Sequence, residues 1–204
     1  MNVDIAAVVG GDSVTVEEVD ARERDLRERV SAHALPRPGT SESRQLRRWI
    51  TQVLVAERVV AAEAGALHES DDGAPSEREL LPDNVARLEI GSVAASTLSA
   101  PAGRAVFARV TGPVRISAEQ VRDYHRRNPF RFAPHSTVHG AWQHTQGDIP
   151  LAEAGPAIAA HLLAAARRRE YRRWLDARCA EVVVLAPGYE HPGDPRQPDN
   201  THRH

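Results

Sequence analysis

The sequence predicts a mainly α-helical domain carrying a small β-sheet, an α+β fold. Three observations predict it. Within Ser43–Leu67, residues Leu46, Trp49, Ile50, Val53, Leu54, Val60 and Ala64 recur at spacings of three, four and seven, with arginine and glutamate between them. That is the period of an amphipathic helix, with an apolar arc wide enough to require cover from other elements. A second stripe of the same period runs through Ile158, Leu162, Leu163, Ala166, Tyr171, Trp174 and Leu175. Short β-branched runs stand at both ends, Ile5–Val9 and Ser13–Val16 early and Glu181–Ala186 late. Residues 1–186 are expected to form this domain. Residues 187–204, with four prolines and almost no apolar side chain, are expected to be an extended Pro/His-rich tail.

The elements follow in order. Gly10-Gly11-Asp12 between the first two runs is a hairpin turn signal. Thr15 or Ser13 then precedes Glu17-Glu18, a helix start, and Val19, Leu26 and Val30 carry a helical face to about Ala34. Pro36-Arg37-Pro38-Gly39 breaks the chain, and Ser41 or Ser43 is placed to cap the long helix, with Gly65 near its end. A third helix is expected from about Ser76 to Leu81, interrupted at Pro82 and resuming over Asn84–Leu98. Its second half is weak because Gly91, Ser92, Ser96 and Thr97 are poor helix formers. Ala105–Val110 fits a strand or a helix end. Ser117 caps a short helix Ala118–Arg127 that Asn128-Pro129 ends. Thr137–His144 alternates as one strand, and Pro156 is placed to start the last helix. The Arg167-Arg168-Arg169 and Arg172-Arg173 runs read as a solvated face.

Composition bounds the function. A chain of 204 residues suits one compact domain. Net charge is −2, which offers no electrostatic footprint for nucleic acid. All 26 basic residues are arginine, a bias of coding rather than of a site. The N-terminus lacks the basic and apolar regions of a signal peptide, and no run approaches the roughly 18 apolar residues that span a bilayer. A cytoplasmic protein with no membrane partner is therefore expected. The one cysteine, Cys179, lies in a helical pattern and reads as an inert buried thiol.

The order of motifs carries a resemblance. VVGGDSVTVEEVDAR leads into a helix, RQLRRWITQVLVAERVVAAEAG follows, and ISAEQVRDYHRRNPFRF comes later. This resembles the N-terminal chaperone domain of the SurA and parvulin-type peptidyl-prolyl isomerase family. The match is best through Ser117, Glu119, Val121, Tyr124, Asn128, Pro129 and Phe132. The resemblance implies that Ile158–Ala186 is a helix and strand returning to complete that domain. The interval between Phe132 and the returning helix is too short for the family's isomerase core, so prolyl isomerase activity is not expected. The ending EHPGDPRQPDNTHRH is similar to tails of SurA-like proteins of actinobacterial secondary metabolism, some of which accompany aromatic polyketide pathways. That likeness implies a chaperone-like scaffold reused on a small molecule.

Histidine is the unusual resource, ten in all, five of them from His125 to His161. Imidazole titrates near neutrality and suits proton transfer on a hydroxyl or an enolisable ketone. Closing a ring by attack of a hydroxyl on a ketone, then dehydrating it, needs such a donor–acceptor pair and an apolar slot. His139, His125, His144 and Tyr124 are the candidate catalytic residues. Trp142, Phe130, Phe132, His135 and Tyr189 are the candidate substrate-binding residues, with Asp148 and Glu153 as partner carboxylates. His191, His202 and His204 could hold Zn²⁺ or Cu²⁺, but their spacing fits no closed site. Alternatively the prolines lay the tail across the domain, with Tyr189 and His191 over the groove. No P-loop, dinucleotide fingerprint or nucleophile elbow is present, and no cofactor is expected. Two functions follow: a cofactor-independent tailoring protein acting on a polyketide-like substrate, as a cyclase or dehydratase, or a non-catalytic chaperone-like module gripping a peptide or protein partner.

Overall fold

The computed structural model describes residues 4–31, 34–67, 73–129, 131–132 and 149–192, together with the backbone of 135–138 and 141–144. It is the α+β fold expected, mostly helix with a small three-stranded sheet where the first and last strands meet and a separate two-stranded one. Strands β1 (Ile5–Val9) and β2 (Asp12–Thr15) form an antiparallel hairpin. Gly10 and Gly11 turn it with φ of +58° and +101°, left-handed values that glycine adopts without strain. The C-terminal strand β5 (Val183–Leu185) returns to pair antiparallel with β1, pairing Ala7 with Leu185 and Val9 with Val183, so the sheet order is β2-β1-β5. β5 is shorter and more open than EVVVLA suggests. Helix α8 (Leu151–Val182) takes Glu181 and Val182, and Val184 is 69% exposed on an edge strand.

Helix α1 (Val16–Arg29) begins with a capping box in which Thr15 Oγ1 accepts from Glu18 N and Glu18 accepts from Thr15 N. It ends at Arg29, short of Ala34, where Val30 turns extended. Helix α2 (Ser41–Leu67) starts earlier than its apolar stripe, because the Thr40 hydroxyl rather than Ser41 or Ser43 accepts from Ser43 N. Gly65 lies in its last turn, two residues before the end at Leu67. Ile50, Val55, Ala56, Val59 and Val60 are buried, under α8, the sheet and the helices over Ser92–Thr97 and Pro101–Thr111. Each large aliphatic side chain so covered contributes about 1.5–3 kcal/mol. The polar side of α2 is not wholly solvated: Arg48 is buried and its Nε–H donates to the Gly188 carbonyl. Arg22–Glu57 and Arg58–Glu18 pairs, and Arg47 between Asp20 and Glu23, latch α1 to α2.

The middle of the chain is a run of short helices. Helix α3 (Glu77–Leu80) is capped by Ser76, and α4 (Asn84–Ile90) by Asp83. The expected helix to Leu98 divides at Gly91, whose φ of +85° ends α4 and begins α5 (Ser92–Thr97). Ala105–Val110 belongs to a helix, α6 (Pro101–Thr111), which Pro101 opens at a position where its missing N–H costs nothing. Gly103 lets α6 lie against α5: a Cβ there would stand 1.8 Å from the Thr97 carbonyl oxygen. Tyr171 on α8 fills the core beneath, its hydroxyl 2.7 Å from Thr97 Oγ1 and its ring against Phe107 and Trp174. Pro156 sits inside α8, not at its start. It lies early enough that the helix loses one hydrogen bond and continues to Val182. No helix among the described residues is long and apolar enough to cross a membrane.

Candidate functional site

Helix α7 (Ala118–Arg127) is built as its sequence predicts. Ser117 Oγ accepts from Gln120 N, and Gln120 Oε1 accepts from Ser117 N. Asn128 closes the other end. Its backbone N–H and its Nδ2 both donate to the Tyr124 carbonyl, at 2.9 and 3.0 Å. Tyr124 is thereby fixed on the side of α7 that packs against α8.

Around its ring lie Phe132 at 6.3 Å and His161 of α8 at 5.6 Å between centroids, and Phe132 and His161 are 6.0 Å apart. The Arg131 guanidinium stands 5.9 Å over the Tyr124 ring, a cation–π placement. Burial and then the positive charge of Arg131 push the His161 imidazole below its ordinary value, so at neutral pH it is uncharged. The Tyr124 hydroxyl is buried and has no hydrogen-bond partner among the described residues. A phenol in that state is a donor held without its acceptor, at a cost of about 1–3 kcal/mol. Its ring lies 5.6 Å, between centroids, from a neutral imidazole able to accept a proton.

The other predicted site residues divide. His125, one residue along α7, donates from Nε2 to the Ile149 carbonyl at 2.7 Å, tying α7 to the start of α8 and leaving Nδ1 as its acceptor. Thr137–His144 is not one strand but a hairpin, β3 (His135–Val138) with β4 (Ala141–His144), in which His135 pairs with His144 and Thr137 with Trp142. Four-residue strands bracketing His139-Gly140 pair with one another, which one continuous strand here has no neighbour to do. His135 and His144 thus share one end of the hairpin, next in sequence to Phe132 and to Ile149. His139, Phe130 and Asp148 lie outside the described residues. Glu153 is exposed in the first turn of α8.

Tyr189 belongs elsewhere. Its hydroxyl accepts from Arg47 Nη2 at 3.4 Å and its ring packs on the core beside α2. His191 borders a groove of about 580 Å³ that also has Trp49, Gln52, Ile90, Leu175 and Cys179 in its walls. Burial pushes the Cys179 thiol up to about 11, so it stays protonated and unreactive. This groove and the Tyr124 corner meet opposite ends of α8: His161 and Leu175 are about 21 Å apart along the helix axis. Tyr189 and His191 are therefore not part of the Tyr124 cluster. Among the described residues no group of His, Cys, Asp or Glu is placed to hold a metal ion, and His202 and His204 lie outside them.

The residue that completes the corner, His161, was visible in the sequence but not singled out. It falls on the buried stripe Ile158–His161–Ala165–Arg168, spaced three, four and three, and a histidine on the inward face of a helix is the signal that finds it.

Residues 5–42, which hold β1, β2, α1 and the first residues of α2, match DUF7158, a family of unknown function. No curated protein and no solved structure matches the chain.

Proposed function

We propose that this chain is a cofactor-independent tailoring protein that closes and dehydrates a ring on an oxygenated, polyketide-like substrate, on a SurA-like scaffold without the isomerase core. One observation carries the reading: a buried phenolic hydroxyl, that of Tyr124, without an acceptor among the described residues, on a ring beside the neutral imidazole of His161. A ketone oxygen brought to Tyr124 takes the vacant acceptor position. His161 removes the proton of the attacking hydroxyl, the carbon–oxygen bond forms, and the carbonyl oxygen takes a proton from the Tyr124 phenol. Return of the proton from His161 to that new hydroxyl releases it as water, and loss of the neighbouring C–H proton to the Tyr124 phenolate forms the double bond and restores both groups. Arg131 over the Tyr124 ring stabilises the phenolate between these steps.

The experiment is to offer the purified protein an aromatic hydroxy-β-diketone and to follow water loss by mass spectrometry, with Tyr124→Phe and His161→Gln beside the parent chain. Turnover by the parent, lowered about a hundredfold by either change, supports the reading. No turnover and no quenching of tryptophan fluorescence by the ketone would sink it.

A second reading, a chaperone-like peptide-binding module without isomerase activity, is favoured by Val85 and Leu88 of α4, which are 62% and 81% exposed on adjacent turns. Saturable binding of a proline-containing peptide, weakened by Leu88→Ser and indifferent to Tyr124→Phe, would favour this module.

A further inference from the structure

The arginine-rich stretch of α8 is not the uniform solvated face that its sequence suggests. Arg169 is exposed, Arg173 pairs with Glu170 at 2.8 Å and Arg172 stands 3.8 Å from Asp176. Arg168 is buried, donates from Nε and Nη2 to Glu89 at 2.9 and 2.6 Å, and reaches the Leu80 carbonyl from Nη1. Arg167 is the one arginine of this run with a buried Nε that has no acceptor among the described residues. It borders a pocket of about 420 Å³ between α3, α6 and α8, within the range of small-molecule sites.

The walls of that pocket are apolar. Pro75, Leu80, Phe107 and Leu163 supply bulk, while Ala160 and Ala164 on α8 are the small side chains that leave the space open. Glu79 also borders it, but its carboxylate is occupied at the α3 cap, accepting from Ser76 N at 2.6 Å and from Ser76 Oγ at 2.7 Å. Arg168 is neutralised by Glu89, and of the charged side chains that border this space only Arg167 has no bonded partner among the described residues. In the larger groove beside His191, by contrast, Arg172 already has Asp176 for a partner.

We infer that this pocket is a binding site for a small apolar monocarboxylate, whose body lies on Phe107, Leu80 and Leu163 and whose carboxylate accepts from Arg167. A guanidinium fork matches a carboxylate, and a buried N–H without an acceptor gains most from one. A phosphate would bring two charges and three acceptors to a single arginine and would leave the apolar walls unused. This site does not rest on the acid–base reading of Tyr124 and His161: its residues Ala160, Leu163, Ala164 and Arg167 form a different stripe of α8 from Ile158, His161, Ala165 and Arg168.

The test uses 2-naphthoate and its uncharged counterpart 2-acetonaphthone as probes, titrated by calorimetry into the full chain and into Arg167→Gln, Arg172→Gln and Ala164→Phe variants. Saturable naphthoate binding is expected, weakened about tenfold or more by Arg167→Gln, with the ketone affected little. Arg172→Gln should leave both probes unchanged, and Ala164→Phe should exclude both. No saturable naphthoate binding, an equal affinity in Arg167→Gln, or loss through Arg172→Gln instead would overturn the inference. Because Arg167 makes no side-chain hydrogen bond or ion pair among the described residues, its replacement by glutamine breaks none.

Discussion

Two tyrosines, one on α8 and one on α7 packed against it, differ in one respect. Tyr171 is wholly buried between Phe107 and Trp174, and its hydroxyl meets Thr97 Oγ1 at 2.7 Å, with burial holding the phenol at about 12. Tyr124 is ringed by Phe132, His161 and Arg131, yet its buried hydroxyl finds no partner among the described residues. The first is the pattern of a core, in which every polar atom taken out of water is returned a hydrogen bond. The second leaves a polar atom in want of one, on a helix with no buried residue of its own. Packing that satisfies itself holds the fold; packing that stays incomplete leaves a polar atom open to another partner.

The largest effect should come from breaking the Tyr171 side. Gly103→Ala forces a methyl into the Thr97 carbonyl, pushing α6 off α5 and carrying the partner of Tyr171 with it. A loss of about 3 kcal/mol or more in urea denaturation is expected. Tyr171→Phe is milder. Thr97 Oγ1 keeps its bond to the Ala94 carbonyl, so removing the phenolic oxygen should cost about 1 kcal/mol.

Smaller still is the pH effect at His161. Its folded value lies below that of the unfolded chain, so the unfolded chain binds its proton first. That contribution to stability is present above the ordinary imidazole value of about 6.5 and is lost as the pH falls through the lower folded value. Arg131 and Arg168 deepen the shift, and Glu89 and Asp83 oppose it. Between pH 7.5 and 5.5 (about one unit above and below that imidazole value) the parent chain should lose more stability than His161→Gln. Equal losses would mean that the ring is solvated and not part of the corner.

How much of this was legible depends on the kind of signal. Period and punctuation carried the frame: the Gly10-Gly11 hairpin, α2, the Ser117 cap of α7, and the core positions Tyr171, Trp174 and Leu175 all follow from residue type and spacing. Local rules failed where tertiary contact decides. Gly91 divides a helix whose other residues allow continuation, Pro156 lies within α8, and Thr40 caps a helix for which two serines stood nearer the apolar stripe. Of the site, Tyr124 and Phe132 were found through their motif. His161 and Arg131 come to them from a helix and a loop distant in sequence or turned by a bend, and no spacing rule reports that convergence. Likewise nothing in a run of arginines tells the buried, paired Arg168 from the unpaired Arg167.

The most direct measurement is the paired denaturation of Tyr124→Phe and Tyr171→Phe in the same buffer, each against the parent chain. Tyr124→Phe should lie within about 0.5 kcal/mol of the parent, or above it, because it deletes an unmet hydroxyl, while Tyr171→Phe loses about 1 kcal/mol. If Tyr124→Phe lost as much as Tyr171→Phe, its hydroxyl would already be partnered within the fold. The corner would then be core, not a site.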